Sequence, residues 1–306
     1  VLIGYLLATV NRSEIFVKIK SCHVSFFLFS LLLGFLRNVI FAYRWRVLLT
    51  GSGIKVPFIT LIKFYLGGTF FNLFLPTTLG GDVVRGYDLA IHSEKKMDAA
   101  SSVLAERIIG SFALIFIALF ALLFGQNMIE NTQVINVVLI VCISYFAFVI
   151  IVFNARIMKK LIVLLKVNSL WNIGKWLDRM YSSLRTFFAD KVILGLCFAL
   201  SIVCQTLTIL AVYLLALAIN LKLPLIYFFM ILPMIWIVTM VPLSLNGLGV
   251  REGAFVFFFT EVGVSGSSAL LFSFLNLSRM IVLGLICGTI YLFAQMPLPF
   301  KKLSKR

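Results

Sequence analysis

Pro76-Thr77-Thr78-Leu79-Gly80-Gly81-Asp82-Val83-Val84-Arg85 and, later in the chain, Pro242-Leu243-Ser244-Leu245-Asn246-Gly247-Leu248-Gly249-Val250-Arg251 are two versions of one break in apolar sequence. Aligned without a gap, they match at Pro, Thr or Ser, Leu, Gly, Val and Arg. Each is followed by an apolar segment that carries an arginine beside a polar residue, Glu106-Arg107 in the first case and Ser278-Arg279 in the second. Proline removes a backbone donor and glycine frees the backbone, so neither break continues as an unbroken helix. The surrounding stretches, residues 57–86 and 225–261, read either as re-entrant pairs of half-helices or as two short complete spans.

Working outward, 62% of the 306 residues are hydrophobic and 12% charged, too little polar surface for a water-soluble globule. Apolar runs long enough to cross a hydrocarbon core of roughly 30 Å occupy residues 24–48, 99–125, 134–154, 192–219 and 269–295. Residues 1–10 are apolar but short, and read as the remnant of a first helix cut upstream. The expected fold class is therefore all-α: a polytopic integral membrane protein of about six to eight transmembrane helices, with two broken or re-entrant segments.

Net charge is +16, yet the basic residues gather in particular loops, which points to membrane topology and not to nucleic acid. Arg156, Lys159, Lys160, Lys166, Lys175, Arg179, Arg185 and Lys191 face only Asp178 and Asp190, and the tail adds Lys301, Lys302, Lys305 and Arg306. Positive residues favour the cytoplasmic side, so these regions and the C-terminus are placed inside, and the loops near Glu130, Lys222 and Glu261 outside. The two breaks then enter from opposite faces, as in an inverted repeat. One membrane domain over residues 1–306 divides into a first half (1–154), an inner-leaflet connector (155–191) and a second half (192–306). Within the connector, residues 157–188 alternate basic side chains with Leu161, Leu165, Trp171, Trp176 and Tyr181, a pattern suited to amphipathic helices on anionic headgroups.

An ionisable group within a span costs about 2.5–3.5 kcal/mol on insertion scales, so such groups persist mainly in pairs or around polar cavities. The candidates are Arg37, Lys63, Asp82, Arg85, Glu106, Arg107, Arg251, Glu252 and Arg279. Pairs such as Asp82 with Arg251 or Glu106 with Arg279 would make them internal ties between half-helices. Alternatively, Arg85, Arg107, Arg251 and Arg279 outnumber Asp82, Glu106 and Glu252, and the spare charge holds an anion. Guanidinium forks match a phosphodiester bidentately, and half-helix N-termini after Gly81 and Gly249 would add N–H donors. Pro76, Gly80, Gly81, Pro242, Gly247 and Gly249 form the breaks that let backbone approach a headgroup. A phospholipid or polyprenyl-phosphate headgroup is the natural ligand. Cys22, Cys142, Cys197, Cys204 and Cys287 lack paired spacing, and no nucleotide loop or Ser-His-Asp set stands in the sequence, so no metal, cofactor or catalytic residue is assigned.

Arg44-Trp45-Arg46-Val47-Leu48-Leu49, Phe71-Asn72-Leu73-Phe74-Leu75 running into the first break, Ala105-Glu106-Arg107, and the second break continued through Glu252-Gly253 together resemble the signatures of the lysylphosphatidylglycerol synthase transmembrane-region family, a flippase-like family. The resemblance covers nearly the whole chain. It implies a prokaryotic cytoplasmic-membrane protein related to the flippase half of synthases that lysylate phosphatidylglycerol and expose it on the outer leaflet. A stand-alone member without the soluble aminoacyl-transfer domain would handle an anionic or aminoacylated phospholipid, or a polyprenyl-phosphate lipid, alongside a separate synthase or glycosyltransferase. The alternative is a membrane subunit or enzyme of phospholipid aminoacylation or glycolipid assembly, for which the residues themselves would offer Asp82 or Glu106 as acid or base.

Overall fold

A computed structural model describes residues 16, 18, 20–75, 80–93, 95–125, 132–153, 173–240 and 249–295. Among them ten helices form in the order α1 Val24–Thr50, α2 Phe58–Phe71, α3 Gly80–His92, α4 Lys96–Gly125, α5 Thr132–Phe153, α6 Ile173–Ala189, α7 Lys191–Ala218, α8 Leu225–Met240, α9 Val250–Thr260 and α10 Gly266–Gln295. The all-α expectation holds, and every predicted span is a helix. Helices α1, α4, α7 and α10 are each long and apolar enough to cross a membrane. Leu28, Leu32, Leu36, Phe116, Phe120, Leu123, Val203, Leu285 and Phe293 lie exposed on them, as lipid-facing side chains do. Pro76, Pro242, Gly247, the loop at Glu130, the tail and residues 154–172 of the connector lie outside the described residues.

The order long, short, short, long occurs twice: α1-α2-α3-α4 and α7-α8-α9-α10. The two sets run in opposite senses. At one end of the bundle the His23 N–H donates to the Ala218 carbonyl at 2.9 Å, and at the other Arg44 Nη1 donates to Ser201 Oγ at 2.8 Å, so α1 and α7 are antiparallel. Helix α2 packs on α10 of the other set, and α8 packs on α4 reciprocally.

Both short pairs are helical hairpins. At 1.5 Å per residue, the 14 residues of α2 and the 13 of α3 cover only about 20 Å each, short of a roughly 30 Å core. Lys95 Nζ donates to the Ser52 carbonyl at 2.8 Å, which ties the exit of α3 to the turn after α1. The chain thus returns to the end of the bundle it left, the re-entrant reading. The α8–α9 pair starts beside Asn220, at the opposite end, where Asn220 Nδ2 reaches the Ser21 carbonyl and Lys18 Nζ reaches Ser268 Oγ at the start of α10.

Glycines set how closely these elements meet. Gly67 on α2 faces the Tyr291 ring, and Gly284 and Gly288 on α10 receive Leu73 and Phe70. Gly284-x-x-x-Gly288 is the small-residue spacing that lets membrane helices approach without a hydrophobic driving force. Between the hairpin arms the backbones of Gly68 and Gly81 touch, with no room for a side chain at Gly81. Helix α8 is apolar all round and lies in the main core with Phe228, Ile231, Met234, Phe255 and Phe272.

Helix α6 is the described part of the amphipathic connector. It buries Tyr181, Ser183, Leu184 and Phe187 and exposes Ser182, Arg185 and Thr186. Leu184 and Phe187 pack on Leu48, Ala105 and Ile109, and Ser183 Oγ donates to Asp98 Oδ1 at 2.6 Å. The helix therefore lies across the end of the bundle where α1 finishes and α4 begins. Arg185 and Lys222 are both exposed and belong to opposite ends. A cysteine at position 185 is expected to react with an impermeant maleimide only from the cytoplasmic side, and one at position 222 only from outside; labelling of both from one side would contradict the arrangement.

Candidate functional site

Four helices bring charge together inside the first half. Helix α1 presents Arg37, Phe41 and Arg44 at positions i, i+4 and i+7, one face of a helix. Helix α2 supplies Tyr65, α3 supplies Asp82 and Arg85, and α4 supplies Glu106 and Arg107. These residues, with Asn38, Asn72, Ser111 and Gln205, line a cavity of about 260 Å³.

Glu106 is its anchor. The carboxylate is 1% exposed; Oε1 accepts from Arg44 Nε at 3.2 Å and Nη2 at 3.0 Å, and Oε2 accepts from Tyr65 Oη at 2.7 Å and from Arg85 Nη1. Arg85 also donates through Nε to Asp82 Oδ1 at 2.9 Å, and Arg107 Nε donates to Asp82 Oδ2. Arg85 therefore bridges both carboxylates, tying the hairpin arm to α4. Its guanidinium stacks over Tyr65 and Trp45 at 4.5 and 5.0 Å, and Arg44 lies 4.8 Å from the Phe41 ring. Such cation–π contacts hold guanidinium groups where water is scarce. Trp45 is itself fixed by donating Nε1–H to Ser102 Oγ at 3.0 Å.

Four guanidinium groups (Arg37, Arg44, Arg85, Arg107) and two carboxylates (Asp82, Glu106) line the cavity, a formal balance of four minus two, or two positive charges. Arginine does not lose its proton in proteins, so the excess persists at any physiological pH. Both oxygens of each carboxylate already accept from a cation. Neither is poised to take a proton from a substrate.

Of the residues singled out by sequence, Asp82, Arg85, Glu106 and Arg107 meet in this one network. The pairs Asp82–Arg251 and Glu106–Arg279 do not form. Asp82 finds Arg85 one turn along its own helix, and Arg251 takes its neighbour Glu252, with Nη2 to Oε1 at 2.8 Å. Glu252 is fully buried, and its Oε2 accepts the Gly249 N–H at 2.6 Å, closing the first turn of α9. Gly249 has φ +85°, which only glycine adopts freely. At the two breaks the Gly81 N–H donates to Asn72 Oδ1 at 2.7 Å, and the Gly249 N–H to Glu252. Arg279 lies on α10, donates Nη2–H to Asn276 Oδ1 at 3.1 Å, and is not part of the cavity wall. Arg44 and Tyr65 are the members of this network that the candidates read from sequence left out. Arg46, two residues on from Arg44, points outward and is exposed.

The family model for the lysylphosphatidylglycerol synthase TM region matches residues 1–288. A UPF0104 membrane protein of Methanothermobacter thermautotrophicus is 23% identical over 285 residues, covering 87% of this chain and 84% of that one. No solved structure matches the chain. With a family match over nearly its full length, the chain belongs to the lysylphosphatidylglycerol synthase TM region family.

Proposed function

We propose that the cavity binds the anionic headgroup of a membrane lipid, a phospholipid or polyprenyl-phosphate lipid, and that the protein is a flippase-like translocase of the prokaryotic cytoplasmic membrane. The observation that carries this reading is the excess of two positive charges in a cavity of about 260 Å³ lined by the helices of the bundle. That volume lies just below the roughly 300–1,000 Å³ of pockets for drug-sized ligands, which suits a headgroup whose acyl chains stay in lipid. An unbalanced buried cation is costly unless an anion joins it. The basic regions face the cytoplasm on this reading, and the lipid is made or consumed by a separate synthase or glycosyltransferase. An acid–base role for Asp82 or Glu106 finds less support, because both are held by guanidinium groups on each oxygen.

Arg107 offers the cleanest test. Its side chain is 26% exposed, and Asp82 keeps Arg85 when Arg107 is removed. Arg107→Ala is expected to leave the melting point near that of the parent and to weaken binding of short-chain phosphatidylglycerol about ten- to hundredfold, the scale of one lost charge-assisted hydrogen bond. Arg107→Lys is expected to recover part of this, restoring charge without the fork. Titration in detergent checks it; unchanged affinity in Arg107→Ala would refute a headgroup site here.

A further inference from the structure

Beyond the Glu106 network, α1 and α10 run side by side, with Gly34 against Leu283 and Asn38 Nδ2 on Cys287 Sγ at 3.6 Å. An arginine stands on each side of this seam. Arg279 on α10 is 4% exposed, and its Nη1 has no hydrogen-bond partner; a Cβ on Gly34 would lie 3.3 Å from that atom. Arg37 on α1, three residues from Gly34, donates Nη2–H to Asn38 Oδ1 at 3.1 Å while its buried Nε–H is unpartnered. Neither has an ion-pair partner among the described residues, and the side-chain acceptors given to them are the neutral amides of Asn38 and Asn276.

Sequence shows why Arg279 lacks the kind of counter-charge that Arg107 has. Arg279 corresponds in the repeat to Arg107, whose partner is Asp82; the position matching Asp82 is Leu248, and that matching Glu106 is Ser278. At these matched positions the arginine is kept and the carboxylates are not. Two buried guanidinium groups on neighbouring helices repel, and two buried N–H groups are left without acceptors, a combination that an oxyanion resolves.

We propose that Arg37 and Arg279 form a second oxyanion site, the next station for a phosphate or phosphodiester group beyond the Glu106 network. Arg37 lines the cavity and stands seven residues, about 10 Å of helix rise, from Arg44. An anion leaving Arg44 and Arg107 would reach Arg37 first and then the seam with α10, toward the opposite end of the bundle. The inference rests on the translocase reading for its direction of travel, but the site itself is testable without it.

The test uses the purified full chain in neutral detergent, with melting points measured against inorganic phosphate and, separately, against short-chain phosphatidylglycerol. At least one of them is expected to raise the melting point of the parent, as a ligand bound only by the folded state does. In Arg279→Met, and independently in Arg37→Met, the concentration needed is expected to rise about ten- to hundredfold, with Arg279→Lys in between. A response to phosphatidylglycerol alone identifies a lipid headgroup as the source, and a response to phosphate alone a free anion; either supports the site. Two folded methionine variants that keep the parent's response, or a parent indifferent to both anions, would overturn it. Lipid movement measured on the same preparations separates the two claims: an anion response lost in the variants, with no movement by the parent, removes the translocase reading and leaves this site standing.

Discussion

Glu106→Ala is expected to lose about 3–5 kcal/mol of stability, the scale for breaking a buried ion pair by removing one partner, and to be recovered from membranes in much lower yield than the parent. Without Glu106, Arg44 loses its only ion pair among the described residues, Arg85 keeps only Asp82, and the Tyr65 hydroxyl loses its acceptor, all in a region where side chains of both arginines are 5% exposed. The check is the melting point in detergent at low and high phosphate. A large drop, partly recovered by removing the second partner in Arg44→Met/Glu106→Met, fits the network as scaffold. An unchanged melting point in Glu106→Ala would show that the network carries no structural load.

Gly81→Ala is expected to disrupt the first hairpin outright. A Cβ there would stand 2.0 Å from the Gly68 carbonyl oxygen and 2.7 Å from Asn72 Cγ. The oxygen belongs to backbone of α2, so relief requires the two arms to separate, and overpacking of this kind costs about 1–3 kcal/mol or more. Separation also displaces Tyr65 and Arg85, which the arms hold at Glu106. Folded yield and lipid movement should fall together. Gly195→Ala is the matched control: nothing lies within 4 Å of a Cβ there, and alanine in a helix interior is favoured over glycine by about 0.5–1 kcal/mol. Equal behaviour of the two variants would remove the close hairpin contact from the account.

The spans were legible because a membrane imposes length and polarity at once. Apolar residues 24–48 and 269–295 became Val24–Thr50 and Gly266–Gln295, with ends moving by three residues or fewer. The breaks were legible for the same reason, since Pro and Gly inside such a run have few structural explanations. Loop charge predicted that the halves run in opposite senses, and the antiparallel packing of α1 on α7 bears it out. Side-chain partners were not legible. Which of Arg44 and Arg46 faces inward depends on how α1 is rotated, and in a helix apolar on every side no hydrophobic stripe reveals it. The cross-half pairs failed because a charge match ignores distance along the bundle, while Asp82 and Arg85 stand one turn apart on the same helix. Glu252 was readable in hindsight: Gly249-Val250-Arg251-Glu252 places a carboxylate three residues after the cap, the spacing of a capping box.

The central claim is that this chain alone moves anionic lipid across a bilayer, and the direct measurement is reconstitution into liposomes carrying a trace of headgroup-intact, chain-labelled fluorescent phosphatidylglycerol, quenched from outside by dithionite. The account predicts quenching that continues past the outer leaflet's share toward completion, faster than for the matching phosphatidylcholine, and slowed in Arg107→Ala and Arg279→Met. Quenching that stops at the level of protein-free liposomes, from a parent preparation shown to be folded, would contradict it.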